Sequence, residues 1–352
     1  MSNASRCTSQ PFRILQVGLG NRGNMWNTII RRRDDVIHSG VVDISPERLA
    51  AYQEEHPGTS TYTELAQALV ESESDAVLLV TPPDGHLAQA RQVFAAGLPL
   101  LSEKPLTLDL AEAVEIVQLA GDHHLPLMVG LNFRYLPISQ KIRELMTTNA
   151  LGRPGFGQFT YQRNRDGSAP RLNKYPLTME HPMMLEQSIH HLDLIRYCYG
   201  QEVVQVMCRT WNPPWSMYAH DSNVHCLLTL ADGMEVNYLG TWTGGWDKLQ
   251  FEWRTDCAEG VIVQRQLFED LAMAHTRDQG LTPIDLPAFE AFFDDTDALL
   301  SAFLAHLRHD VSLECSGRDH LYTLALCFAA IESSERGVAV QMNDFYQQHD
   351  IR

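Results

Sequence analysis

A glycine turn set directly after the first apolar run narrows the possible folds more than any other feature of this chain. The stretch Arg13-Ile-Leu-Gln-Val-Gly18-Leu-Gly20-Asn21-Arg22-Gly23 reads as a strand, a tight turn and the start of a helix. Each glycine has its own reason to be there: a sharp turn, room for backbone to approach a ligand, and close helix–strand packing. The N–H groups at the start of the helix form an anion site. Alone, this spacing is a weak signal, but its surroundings strengthen it. Apolar runs at 12–17, 36–42, 76–80, 98–102 and 127–130 alternate with helical patterns near 24–33, 46–56, 63–71, 86–96 and 110–122. Such alternation predicts a doubly wound parallel sheet of the Rossmann type over residues 11–130. Asp43 closes the second run twenty positions after Gly23. A carboxylate there accepts hydrogen bonds from ribose hydroxyls and repels a 2′-phosphate, so NAD is expected and NADP disfavoured. Asp43 also suits the turn before Pro46, and the two roles are compatible.

Beyond residue 131 the pattern changes. A helix near 137–149 ends in Leu-Gly-Arg-Pro-Gly, a turn cluster. Strands follow near 156–163, 203–211, 223–230, 235–243 and 249–255, with Ala231-Asp-Gly233 reading as a hairpin turn. This predicts a second α/β domain, residues 131–352, with a mainly antiparallel sheet. One helix near 182–199 is inserted among these strands, and two more, near 294–309 and 317–336, close the chain.

Two strand ends of the first domain carry candidate site residues. Thr81-Pro82-Pro-Asp-Gly-His86 follows the third run, with His86 readable as a helix cap or a cofactor contact. Ser102-Glu103-Lys104-Pro105 follows the fourth, and the proline fixes the backbone of Lys104. In the second domain, Glu186, His190 and Asp193 share one helix face at i, i+4 and i+7, with His191 turned about 100° away. A carboxylate one turn from a histidine sets its tautomer and raises its proton affinity. An alcohol dehydrogenation needs such a base, and a nearby ammonium would stabilise the oxygen. The competing reading of this helix is a buried surface of hydrogen-bonded polar groups. No third ligand beside Glu186 and His190 suggests a metal.

Composition excludes other classes. The formal charge of −17 disfavours nucleic acid, whose phosphates need clustered Lys and Arg. Arg31, Arg32 and Arg33, the one basic run, read as a solvated helix end. No apolar run approaches the roughly 18 residues of a membrane span, and residues 1–10 lack the apolar core of a secretory signal. Cysteines 7, 198, 208, 226, 257, 315 and 327 are scattered, which points to a reducing, cytoplasmic setting rather than a disulfide framework. The segments Trp211 to Trp215 and Trp242 to Trp246 offer either sugar-stacking faces or sheet packing.

The combination resembles the Gfo/Idh/MocA family of sugar and polyol dehydrogenases. The matching elements, in order, are the Gly18/Gly20/Gly23 turn, Thr81-Pro-Pro with His86, Glu103-Lys104-Pro105, Asn132-Phe-Arg-Tyr135, the His190-His-Leu-Asp193 helix, and the tail from Ala325 to Val340. The resemblance implies a C-terminal domain with a large open sheet used in homodimers or homotetramers. It places Gly18, Gly20, Asn21, Arg22, Gly23, Asp43, Thr81, Pro82, His86, Glu103, Lys104 and Asn132 around NAD. It places Lys104, Arg134, Glu186, His190 and Asp193 around a small sugar or polyol, with Lys104, Glu186 and His190 catalytic. The family commonly has Asp where Glu186 stands. Two further readings stay open: NAD-dependent glycoside cleavage without net redox, and an NAD-binding regulatory protein without turnover.

Overall fold

A computed structural model describes residues 10–170, 172–276 and 279–351, so Cys7 and the rest of residues 1–9 lie outside the described residues. The chain forms two compact units. The first runs to Gly130 and takes back residues Thr296–His320. The second comprises Leu131–Asp295 and the chain from Leu321 onward.

The first unit is a six-stranded parallel sheet of β1 (Phe12–Val17), β2 (Val36–Val42), β3 (Thr61–Tyr62), β4 (Ala76–Leu79), β5 (Leu100–Ser102) and β6 (Leu127–Val129). Their order is β3-β2-β1-β4-β5-β6. The linking helices are α1 (Asn21–Arg31), α2 (Pro46–Glu55), α3 (Leu65–Glu71), α4 (His86–Ala95) and α5 (Leu110–Asp122). β4 is entirely buried, as a parallel strand covered on both faces must be. Strand order reverses between β1 and β4, and ligands of this fold bind beyond the carboxyl ends at that switch. Helix starts follow local chemistry. Ser45 accepts the Arg48 N–H ahead of α2, and Asp109 accepts those of Ala111 and Glu112 ahead of α5. α1 begins after Gly20 with no side-chain cap.

Residues 296–320, read from sequence as part of the second domain, pack in the first unit. Val129 N–H donates to the Cys315 carbonyl at 2.9 Å. Arg33 donates to Asp297 at 2.8 Å and to Ser301 at 2.7 Å, and Arg308 to Asp35 at 2.9 Å. Arg33 therefore belongs to a tertiary network, and Arg31 donates to the Tyr52 hydroxyl at 2.7 Å. Of the basic run, Arg31 and Arg32 keep the exposed position expected of all three, and Arg33 is half-buried.

The second unit contains α6 (Pro137–Thr147), β7 (Pro154–Gln162), a π-helical turn at Met183–Ser188, and α7 (Ile189–Tyr199). Strands β8 (Val203–Trp211), β9 (Asn223–Leu230), β10 (Glu235–Thr241), β11 (Gln250–Cys257), β12 (Gly260–Gln264), β13 (Leu271–Ala274) and β14 (Thr282–Pro283) follow. Then come α8 (Asp294–His309), α9 (Gly317–Arg336), β15 (Val340–Gln341) and α10 (Met342–Gln348). The nine-stranded sheet is antiparallel apart from the pairing of β7 with β10. The turn at Gly233, φ +87°, joins β9 to β10 where the sequence places a hairpin. The short strands β12 to β15 carry too few residues for a periodic signal. Among the described residues no helix is long and apolar enough to cross a membrane.

Candidate functional site

The glycine turn at the end of β1 shows three different constraints. Gly18 has φ +108°, and a Cβ there would lie 2.6 Å from the Val80 carbonyl oxygen. A Cβ at Gly23 would run into the Gly18 carbonyl oxygen. At Gly20 a Cβ would meet nothing within 4 Å, so packing within the chain does not itself demand a glycine there. With the uncapped start of α1 behind it, the turn fits a dinucleotide diphosphate. Asn21 stands exposed in the first turn of α1. Asp43, 6% exposed, sits at the end of β2. Its Oδ2 accepts the Leu19 N–H at 2.7 Å and its Oδ1 the Ser45 N–H at 2.9 Å. Its carboxylate thus ties the glycine turn to the start of α2 and carries the turn role that the sequence allowed.

The next two strand ends are held by buried polar groups. Thr81 donates through its hydroxyl to Gln89 at 2.6 Å, and Pro82 leads into a short 3-10 turn, Pro83–Gly85. His86 makes no capping bond, which corrects that reading. It is 1% exposed, with Nδ1 at 2.9 Å from the Leu106 carbonyl oxygen and Nε2 at 3.0 Å from that of Thr81. Burial lowers its pKa against the opposing effect of these carbonyls and of Glu103 and Asp84. Leu106 N–H in turn donates to His320 Nε2 at 3.3 Å. Two histidines therefore grip the residue just after Lys104-Pro105.

Glu103 and Arg22, expected around the cofactor, bind each other. Glu103 Oε1 accepts from Arg22 Nε at 2.6 Å and from the Trp26 indole at 2.7 Å. Arg22 also donates to Thr296 at 3.1 Å. Burial alone would raise the Glu103 pKa, but Arg22, the Trp26 and Arg22 hydrogen bonds and Lys104 outweigh it and hold it low. The pair locks α1 to the end of β5, beside half-buried Lys104.

In the second unit the turn Asn132–Tyr135 and α7 are joined by a buried ion pair. Arg134 Nε and Nη2 donate to Asp193 Oδ2 and Oδ1 at 2.7 and 2.6 Å. Thr323 donates to the same carboxylate at 2.8 Å. Burial would raise the Asp193 pKa, but Arg134 and Arg196 bring it below its usual value. Arg134 and Asp193, expected around the substrate, are 3% and 2% exposed and are ion-pair partners of each other. A charge removed from water needs such a partner. Asn132 is likewise turned to Asp295, to which its amide donates.

His190, 7% exposed, lies against Phe133 with ring centroids 4.2 Å apart and planes 20° from parallel. Phe133 also meets Phe268 and Phe292. Phe133 stands inside the quoted Asn-Phe-Arg-Tyr motif, but no spacing rule singled it out. His191 faces away, with Nδ1 at 2.9 Å from the Tyr238 hydroxyl and Nε2 at 3.1 Å from the Gln187 amide. Burial takes its pKa to about 3. Glu186, partly exposed, belongs to the π turn rather than to α7, so helical spacing alone does not set its offset from His190. Of the tryptophans, Trp242 is 1% exposed and packed under Arg165 at 4.3 Å, whereas Trp215 and Trp246 are exposed.

Comparison with known proteins agrees with this fold. Residues 12–131 match the oxidoreductase family with NAD-binding Rossmann fold, and residues 139–263 match the GFO/IDH/MocA C-terminal domain. A D-apiose dehydrogenase of Paraburkholderia graminis is 25% identical over 97% of this chain and 92% of its own length. A myo-inositol 2-dehydrogenase of Thermotoga maritima is 26% identical, over 55% of this chain and 57% of that one. A solved oxidoreductase from Agrobacterium radiobacter, in complex with NAD+, L-tartaric acid and magnesium, superimposes with a TM-score of 0.88. It is 21% identical and is covered over 99% of its length, against 95% of this chain.

Proposed function

The chain belongs to the GFO/IDH/MocA oxidoreductase family, and on that premise we propose that it is an NAD-dependent dehydrogenase acting on a secondary alcohol of a sugar, cyclitol or related polyol. Its first unit is the NAD-binding Rossmann domain of that family. NAD, when bound, accepts the hydride released from the alcohol carbon. The Gly18–Gly23 turn and α1 would hold its diphosphate, and Asp43 would accept from its ribose while disfavouring a 2′-phosphate.

The protein's own groups handle the oxygen and the proton. His190 takes the hydroxyl proton as general base. Lys104 holds the oxygen and offsets its developing negative charge. Glu186 orients His190 or a neighbouring hydroxyl. The observation that carries this reading is how firmly the surroundings of these groups are set. Leu106 is held by His86 and His320, Glu103 by Arg22 and Trp26, and His190 is stacked on Phe133 in a helix pinned through Asp193. Rigid support of reacting groups is what a catalytic site needs and what a passive surface does not. The relatives named as D-apiose and myo-inositol dehydrogenases support a polyol substrate.

A panel of inositols, sugars and sugar acids, followed by NADH absorbance, tests the assignment. Turnover of one polyol class with NAD+ is expected. Tight NAD binding with no turnover of any polyol would overturn it in favour of a regulatory protein.

A further inference from the structure

Gln16 is the penultimate residue of β1, 0% exposed and two positions before Gly18. A buried amide is costly unless its hydrogen bonds are made. Its Nε2 is 3.0 Å from the Gly18 carbonyl oxygen and 2.9 Å from that of Gly23. Both are acceptors only, so this atom must be the NH2 and must donate to both. Oε1 then faces His38 Nε2 at 3.0 Å, and because an amide oxygen only accepts, His38 carries its proton there. His38 Nδ1, left bare, faces the Tyr52 hydroxyl at 3.4 Å, which accepts from Arg31 at 2.7 Å. Burial, with Arg31 and His56 nearby, brings the His38 pKa to about 3, so the ring stays neutral and its tautomer constant.

A Cβ at Gly23 would run into the Gly18 carbonyl and would also crowd the Gln16 amide nitrogen, 3.3 Å away. The first and last glycines of the turn are therefore tied together from inside the protein by one side chain. We propose that Gln16, oriented by His38, is a positioning residue of the dinucleotide site, holding the Gly18–Gly23 turn in the shape that meets the diphosphate. The proposal rests on the family's NAD site and adds the element that shapes it. Neither residue touches the cofactor in this account; both act through backbone.

Calorimetric titration of the full-length protein with NAD+ and with ADP-ribose tests it. Gln16→Leu and Gln16→Glu both remove the double donor, and each is expected to weaken both ligands about tenfold. His38→Phe removes only the orienting donor and is expected to weaken them about threefold. His38→Gln, which keeps a donor, should recover most of that loss. Ile116→Ala, at a buried position of α5, is the control: it lowers Tm through a cavity and leaves NAD+ affinity unchanged. If the Gln16 and His38 variants lose Tm like the control and bind NAD+ as the wild type does, the pair is merely structural and the proposal is wrong. Should the Gln16 variants fail to fold, unchanged affinity in His38→Phe overturns it by itself. Wild-type protein that binds no NAD+ would remove the cofactor assignment and the proposal together.

Discussion

The two units prepare their polar residues with a different balance. In the first, several buried side chains serve the backbone, although Glu103 and Arg22 bind each other: Gln16 donates to two glycine carbonyls, Asp43 accepts from two N–H groups, and His86 faces two carbonyls. In the second, side chains serve one another: Arg134 clasps Asp193, Thr323 supports that carboxylate, and Phe133 lies against His190. A diphosphate is met by main-chain N–H groups, so its site needs a shaped backbone. A proton in flight needs a side chain of defined orientation, so its site needs a fixed rotamer. The contrast makes different substitutions harmful in each unit.

The largest expected effects fall on the groups proposed to act on the substrate. His190→Ala and Lys104→Ala should each lower kcat by about 10²–10⁴-fold in protein that still folds, measured as NADH formation on the best polyol. Near-normal turnover in either variant would remove its catalytic role. Next comes the ion pair that supports the second unit. Asp193→Asn leaves the Arg134 charge buried without its counterion and is expected to destabilise by about 3–5 kcal/mol in a denaturant titration.

The same carboxylate predicts an acid response. Asp193 has a folded-state pKa below its ordinary 3.8, so the folded protein binds this proton less readily than the unfolded chain. Its contribution to stability is therefore complete above that ordinary value and falls away as pH drops toward the lower folded pKa. Wild-type Tm should decline over that window more steeply than the Tm of Asp193→Asn; parallel curves would break the assignment.

Asp43→Ser tests the backbone-serving style of the first unit. Losing the ribose acceptor and the repulsion of a 2′-phosphate should narrow the NAD-over-NADP preference about tenfold, read from the two dissociation constants. An unchanged ratio would leave Asp43 only its turn bonds to Leu19 and Ser45. The smallest effect is expected at Phe133→Leu. Loss of an aromatic contact of about 0.5–1.5 kcal/mol should reduce kcat a few-fold and move the acidic limb of its pH profile, with KM for NAD unchanged. A fall in Tm with no change in that profile would make Phe133 ordinary packing.

Much of the first unit is legible in the sequence alone. β1, β2 and α5 occupy the spans that apolar periodicity marks, and Gly18 and Gly23 stand where the chain leaves no room for a Cβ. These are local properties, carried by neighbouring residues and by dihedral angles that only glycine adopts easily. The return of 296–320 to this unit was not legible, because no nearby residue records which sheet a distant helix will cover.

The candidate site divides along the same line. Residue type and order were enough to nominate Lys104, His190 and the glycine turn, and to point to an NAD-binding oxidoreductase. They also nominated Arg134, Asp193, Arg22 and Glu103, and for these the tertiary structure adds ion-pair partners that the sequence does not show. A charged side chain reads alike in sequence whether it will face a ligand or a buried counterion. That choice depends on which opposite charge the fold brings within hydrogen-bonding reach, and on water being removed from both. Gln16 shows the same limit: in sequence it interrupts an apolar strand, and in three dimensions it binds the glycine turn from within.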